Sequence, residues 1–213
     1  IGALLLQGIG DTVRVSLTGS PIPEAQAAID ILRACGLRKS YVNVVSCPTC
    51  GRTGIDVAAI ARRVQEELSD IRVPMTVAVM GCVVNGPGEA READVGLAGG
   101  GLSAAENAGG EGGTYAVGAL FEKGKAPRRI EGDLAGQLIA RAREIARLTH
   151  TGVSPSPALA SFLADKGTAD APDGCPLVAL LRRPQLTYAD LAPFDPDRPD
   201  LPADVAEQVE ISV

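Results

Sequence analysis

An α/β fold built on a mixed sheet, followed by a short all-helical tail, is predicted for this chain of 213 residues. Three observations carry that prediction. Strand-like and helix-like stretches take turns over the first 150 residues, the pattern of sheet-plus-helix layers. Composition then breaks at His150. Residues 151–213 hold 10 acids against 4 bases and 9 of the 15 prolines but only 3 of the 25 glycines, whereas residues 1–150 carry 16 charges of each sign. Beyond the break, short helix-like runs are separated by Pro and Asp turns, with no strand alternation.

The elements follow in chain order. The opening run from Ile1 to Leu17 is apolar and strand-like, and Thr12–Leu17 (TVRVSL) alternates as a half-buried strand does. Pro23–Cys35 places Ala25, Ala28, Ile29 and Leu32 at helical spacing, with Gly36 as a stop signal. Tyr41–Val45 is a short β-branched strand. Thr53-Gly-Ile-Asp56 reads as a capping box with Asp in the Glu position, opening a helix with Val57, Ile60, Val64 and Leu68 on one side. Thr76–Met80, Asp94–Leu97 and Thr114–Phe121 are strands, the last two joined by a Gly-rich connector over Gly99–Gly113. Leu134–Leu148 is an amphipathic helix with Leu138, Ile139 and Ile145 inward. In the tail, Ala158–Ala164, Pro176–Arg182, Tyr188–Leu191 and Ala203–Val209 read as short helices. The chain begins at Ile1 in one apolar pattern and stops at Val213 in another, so both ends are expected to be internal to something longer.

Composition excludes several classes of function. No apolar run reaches the roughly 18 to 20 residues of a membrane helix. A net charge of -6 with aromatics at 3% and no Trp argues against a nucleic-acid platform, which needs a basic face and stacking surfaces. The whole of the negative excess lies in the tail.

Chemistry concentrates in the cysteines. Cys47-Pro-Thr-Cys50 is a C-x-x-C on a loop between a strand and a helix, and its two-residue gap lets both sulfurs face one point. That suits a metal, an iron-sulfur cluster or a redox disulfide. A helix opening at about Thr53 would place a positive dipole end near them and favour thiolate. Cys82 lies in Met80-Gly-Cys-Val-Val-Asn-Gly-Pro-Gly-Glu89, where Gly86, Pro87 and Gly88 read as a tight turn that doubles the chain back toward Glu89. Cys47, Cys50, Cys82 and Glu89 are therefore expected to converge. A structural zinc site more often uses four Cys or His ligands, and the single histidine, His150, falls at a helix end. Cys35 reads as a small core residue, Cys175 has no partner, and Arg182-Arg183 reads as a solvated helix end.

These residues carry a resemblance. Gly8-Ile-Gly-Asp-Thr-Val-Arg-Val-Ser-Leu-Thr18, Cys47-Pro-Thr-Cys50-Gly-Arg-Thr53 and Gly81-Cys-Val-Val-Asn-Gly-Pro-Gly-Glu89, in this order, resemble the bacterial 4-hydroxy-3-methylbut-2-enyl diphosphate synthase family. The resemblance covers residues 1 to about 148 and corresponds to the C-terminal part of such enzymes, whose N-terminal part is a TIM barrel. It implies a reductive dehydration in the non-mevalonate isoprenoid pathway, in which 2-C-methyl-D-erythritol 2,4-cyclodiphosphate is opened and reduced by two electrons. It also implies a [4Fe-4S] cluster held by Cys47, Cys50, Cys82 and Glu89, with Glu89 yielding to a substrate oxygen. Asn85 would lie beside the open iron, and Arg14, near the end of a barrel strand, would bind the substrate diphosphate with a permanently charged, bidentate group. Flavodoxin or ferredoxin would supply electrons. Family members act as homodimers in which one protomer offers the barrel and the other the cluster domain, so this chain alone is expected not to turn over.

The tail resembles a different family. Val153-Ser-Pro-Ser-Pro157, Leu180-Leu-Arg-Arg-Pro-Gln-Leu-Thr-Tyr188 and Ala206-Glu-Gln-Val-Glu-Ile-Ser-Val213 resemble the C-terminal helical region of the flavin-dependent tRNA uridine 5-carboxymethylaminomethyl modification enzymes. The implied organisation is the last strands and helix of a TIM barrel over 1–36, a cluster domain over 37–149 and a helical tail of different origin over 150–213. Two classes of function follow: an iron-sulfur oxidoreductase fragment, or a non-catalytic, partner-binding helical fragment of a tRNA-modification enzyme. Thiolates and low-potential electrons imply the cytoplasm. If the two parts are an accidental fusion, the tail is expected to pack mainly on itself.

Overall fold

The computed structural model describes residues 1–82, 84–100, 115–122 and 127–201. The expected connector over Gly99–Gly113 lies largely outside them, and the expected helix Ala203–Val209 wholly so. The chain divides into two compact units, Ile1–Tyr41 and Val42–Val213.

The first unit holds two helices, α1 (Gly2–Leu6) and α2 (Pro21–Ala34). The apolar opening run is thus helical rather than extended, and TVRVSL forms no strand. Alternation marks a strand only where neighbours complete the ladder of backbone hydrogen bonds, and no other segment of 1–41 is a strand. α2 begins two residues earlier than its apolar spacing suggests, because Ser20 caps it by accepting the Ile22 N–H and Pro21 fits the first turn. None of its residues is buried, and Leu4, Leu6 and Ile22 are exposed.

The second unit is built on a five-stranded mixed sheet in the order β1 (Val42–Ser46), β2 (Met75–Met80), β3 (Val95–Gly99), β4 (Tyr115–Glu122), β5 (Arg128–Asp133). β1, β2 and β3 run parallel, whereas β3, β4 and β5 are antiparallel. Helix α3 (Val57–Glu67) follows β1, and α4 (Gly86–Glu92) follows β2. After β5 comes α5 (Leu134–His150), capped by Asp133, whose carboxylate accepts from Gly136 N–H and from Arg63 of α3. Val57, Ile60 and Val64 of α3 and Leu134, Leu138, Ile139 and Ile145 of α5 close a core over Val77, Val79, Val95 and Leu97. Burying such side chains contributes about 1.5 to 3 kcal/mol each. The opposite sheet face packs Met80, Ala98 and Phe121 against Ala90 and Ala93.

The tail contains α6 (Pro157–Asp165), α7 (Leu177–Leu181) and a 3-10 helix (Ala189–Phe194). It is not all-helical. β6 (Gly152–Val153) pairs antiparallel with β7 (Cys175–Pro176), a bridge too short to leave an alternation in the sequence. Its core is separate from that of the sheet. Leu159, Leu163, Leu177, Leu180, Leu181 and Tyr188 gather around Leu148 at the end of α5. One face of α5 thus serves the sheet and another the tail.

A buried polar network fastens that second face. Arg147 makes two hydrogen bonds to Glu144, at 2.6 and 2.8 Å, and two to Asp195, at 2.5 and 2.9 Å. Tyr188 donates its hydroxyl to Glu144 at 2.8 Å, and the Arg198 guanidinium lies 4.0 Å over the Tyr188 ring. The two carboxylates raise the Arg147 pKa further, so its charge is permanent. Burial, and then donation to Glu144, push the Tyr188 hydroxyl up from 10.0 to about 12. Because the folded value is the higher one, the neutral phenol's contribution is complete below pH 10 and is lost as pH rises toward about 12. Urea midpoints measured across this window should fall more steeply for the wild-type chain than for Tyr188→Phe, and equal slopes would contradict the assignment.

Candidate functional site

The two cysteine loops leave the C-terminal ends of β1 and β2, which are adjacent, parallel and in register through Ser46 and Val79. In parallel sheets such ends are where ligand groups collect. Cys47 is the residue after β1, and its N–H extends the ladder by donating to the Val79 carbonyl at 3.3 Å. Its sulfur accepts from the Gly81 N–H at 3.2 Å. Cys50 is exposed and opens a turn closed in both directions, since Cys50 N–H donates to Thr53 Oγ1 at 3.1 Å and Thr53 N–H to the Cys50 carbonyl at 3.0 Å. The turn is tied to the second loop by Gly54 N–H, which donates to the Gly81 carbonyl at 2.8 Å. Thr49, just before this turn, adopts φ 60, which is uncommon for a residue with a Cβ and marks a backbone held by its surroundings.

Thr53 therefore does not cap a helix. The N-cap of α3 is Asp56, which accepts from Ala59 N–H at 2.9 Å, so the helix opens at Val57 rather than near Thr53. Asp56 wins because its carboxylate lies at the right offset from the third amide of the helix, and the Thr53 hydroxyl is already engaged by Cys50.

Cys82 lies in the second loop. The backbone N–H groups of Asn85, Val84 and Gly86, with the Arg52 charge, lower its thiol pKa against the opposing effect of burial. Amides converging on a sulfur stabilise thiolate, the form that binds metals. The expected tight turn at Gly86-Pro87-Gly88 is the first turn of α4, where Pro is tolerated because its missing N–H would have no helical partner. Asn85 is the N-cap residue and is exposed, while Glu89 stands exposed in the first turn of α4. Arg14 belongs to the first unit and is exposed between α1 and α2. All five cysteines are free: Cys35 is half-buried just past the end of α2, and Cys175 is buried in the tail core.

The structure thus joins Cys47, the Cys50–Thr53 turn and the Gly81–Cys82 segment by direct hydrogen bonds. It draws no group of three His, Cys, Asp or Glu around a single ion among the described residues. The donor set is three thiols, two of them receiving backbone N–H groups, and one exposed carboxylate nearby in sequence. Such a set suits a multi-iron cluster, which takes one thiolate per iron and is tuned by hydrogen bonds to sulfur, better than one tetrahedral zinc. Sequence reasoning passed over Gly81 and read Thr53 only as a helix cap, although both lie inside the motifs it quotes. What singles them out is a distance between two loops. No helix among the described residues is long and apolar enough to cross a membrane.

Comparison with known proteins agrees with both resemblances. Residues 43–144 match the GcpE protein C-terminal domain, and residues 138–213 match the C-terminal helical domain of the tRNA modifying enzyme MnmG/GidA. The two matches overlap within α5, the helix that serves both cores. Among curated relatives, the chain is 49% identical over 151 residues to the 4-hydroxy-3-methylbut-2-en-1-yl diphosphate synthase (flavodoxin) of Geobacter sulfurreducens, covering 70% of this chain and 39% of that protein. It is 63% identical over 100 residues to the enzyme of the same name from Caldanaerobacter subterraneus subsp. tengcongensis, covering 47% and 28%. For that of Clostridium perfringens the figures are 50% over 140 residues, covering 65% and 36%. The chain therefore spans about two fifths or less of the length of these relatives.

Proposed function

We propose that residues 1 to about 148 are the cluster-bearing part of a 4-hydroxy-3-methylbut-2-enyl diphosphate synthase, an oxidoreductase of isoprenoid biosynthesis acting on 2-C-methyl-D-erythritol 2,4-cyclodiphosphate. The observation that carries this reading is the hydrogen-bonded interlock of the Cys47, Cys50 and Cys82 loops, in a segment similar to enzymes of that name. Cys47, Cys50 and Cys82 hold a [4Fe-4S] cluster by thiolate, and the exposed Glu89 on α4 completes the set as the displaceable ligand. When bound, such a cluster would supply electrons for the reduction and an iron able to act as a Lewis acid. Asn85, the exposed N-cap residue of α4, would be a polar group beside the open iron. Arg14 binds the diphosphate, whose charge a guanidinium matches at any working pH.

Residues 1 to about 36 close a barrel in this reading, and TVRVSL gains its strand partners there. The exposed Leu4, Leu6 and Ile22 are apolar surface for the remainder of the barrel to cover. Turnover then requires that remainder, in a homodimer where one protomer offers the barrel and the other the cluster domain. The flavodoxin in the relatives' names supports a flavodoxin as electron donor, and the chemistry places the protein in a reducing cytoplasm. Residues 150–213 act as a partner-binding helical element rather than in catalysis, as their match to a tRNA-modification enzyme's helical domain supports.

Glu89→Ala tests the carboxylate's part. After anaerobic reconstitution with iron and sulfide, the variant should bind cluster several-fold more weakly and show an altered spectrum, because three thiolates remain while the fourth iron is open. Unchanged affinity together with an unchanged spectrum would remove Glu89 from the ligand set.

A further inference from the structure

Gly81 bonds directly to the first cysteine loop from within the second. Its N–H donates to the Cys47 sulfur at 3.2 Å, and its carbonyl accepts from Gly54, next to the Cys50–Thr53 turn, at 2.8 Å. Its chain neighbour is Cys82. It is buried and has no room for a side chain, because a Cβ would lie 2.9 Å from Thr53 Cγ2, 2.9 Å from Thr53 Oγ1 and 3.0 Å from Val57 Cγ2. Neither neighbour yields easily. Thr53 is β-branched and its hydroxyl is committed to Cys50 N–H at 3.1 Å, while Val57 is in the first turn of α3 and buried in the sheet core.

We infer that Gly81 is a positioning residue for the cluster site: it sets the spacing of the two cysteine loops and supplies the hydrogen bond that tunes the Cys47 sulfur. The inference rests on the reading of Cys47, Cys50 and Cys82 as cluster ligands. Glycine is required for its size, since its φ is not among the positive ones. An added methyl pushes the Cys50–Thr53 turn away from the second loop, lengthening both the Gly54–Gly81 and the Gly81–Cys47 hydrogen bonds. A weaker N–H donor to a ligating sulfur leaves more charge on it and makes reduction harder.

The test uses the full chain, reconstituted anaerobically with iron and sulfide, as wild type, Gly81→Ala, Thr53→Ala and the double variant Gly81→Ala/Thr53→Ala. Iron content, the paramagnetic resonance spectrum of the reduced state and the reduction potential are read for each, with circular dichroism to check folding. Gly81→Ala is expected to fold, to bind several-fold less cluster, and to show a changed spectrum and a potential shifted to more negative values. The double variant, in which both clashing Thr53 atoms are gone together with the acceptor of the Cys50 N–H, is expected to match the spectrum and potential of Thr53→Ala alone. A purely structural role would change the folded fraction and leave the spectrum and potential of bound cluster unmoved. Gly81→Ala with wild-type occupancy, spectrum and potential would overturn the inference. If that variant fails to fold, the double variant decides, and its folding with a spectrum and potential that differ from those of Thr53→Ala overturns it equally. A wild-type chain that takes up no iron would instead overturn the reading of the three cysteines, and this inference with it.

Discussion

Cys82→Ala is expected to abolish stable cluster uptake, leaving little or none of the iron bound by the wild-type chain after identical reconstitution and desalting. The surroundings of Cys82 favour ionisation of its thiol, with the amides of Asn85, Val84 and Gly86 and the Arg52 charge acting against burial. Removing it leaves Cys47, Cys50 and the exposed Glu89, too few thiolates for one sulfur on each of three irons. The fold should survive, because Cys82 is outside the cores that hold the sheet. Cys35→Ala and Cys175→Ala should keep full uptake, as neither lies on these loops. Full iron uptake by folded Cys82→Ala would show that the second loop contributes no ligand.

Asp195→Ala is expected to destabilise the chain by about 3 kcal/mol, near the lower end for breaking a buried ion pair, because Arg147 keeps partial access to solvent. The carboxylate removed is buried and holds Arg147 through two hydrogen bonds that join the tail to α5. Urea unfolding gives the value directly. A change within 0.5 kcal/mol, the usual scale for surface substitutions, would mean that this pair contributes nothing net. Cluster uptake should be unaffected, since the tail core is separate from the sheet core.

That separation bears on how the two parts came together. Leu159, Leu180 and Leu181 pack within the tail and against the end of α5, away from the core over Val77 and Val79. The polar network at the junction is nevertheless complementary. Its α5 members, Glu144 and Arg147, fall inside the segment matched by the MnmG/GidA helical domain, which begins at residue 138. The composition break at His150 marks the end of α5, whereas the family match of the tail starts inside that helix. Charge and proline counts could not reveal this, because a helix with two buried faces keeps one composition along its length.

Much of the sheet was legible for a simple reason. β1, β2, β3 and β4 are β-branched or apolar runs bounded by breakers, and α5 repeats its apolar residues at helical spacing. β5 escaped because Arg128–Asp133 offers one buried apolar residue, Ile130, among charges, as an edge strand can. α1 and TVRVSL were misread because local pattern does not report whether a pairing partner exists. α4 was read as a turn because Gly-Pro-Gly is turn-like in isolation. There Gly86 is buried where a Cβ would lie 2.9 Å from Met80 and 3.0 Å from Ala98. In the site, the cysteines declared themselves by spacing. The interlock through Gly81 and Thr53 did not, since it depends on how closely two loops approach across the sheet end.

The central claim is that Cys47, Cys50 and Cys82 together hold one cluster, and thiol protection measured by mass spectrometry tests it most directly. The reconstituted chain is alkylated under anaerobic native conditions, freed of iron, and labelled a second time with a distinguishable reagent after unfolding. The account predicts that Cys47, Cys50 and Cys82 are protected together in the iron-loaded chain and become reactive together when iron is removed, while half-buried Cys35 reacts alike in both states. Protection of Cys47 and Cys50 with Cys82 equally reactive in both states would contradict it, as would a Cys47–Cys50 disulfide in a chain that takes up no iron.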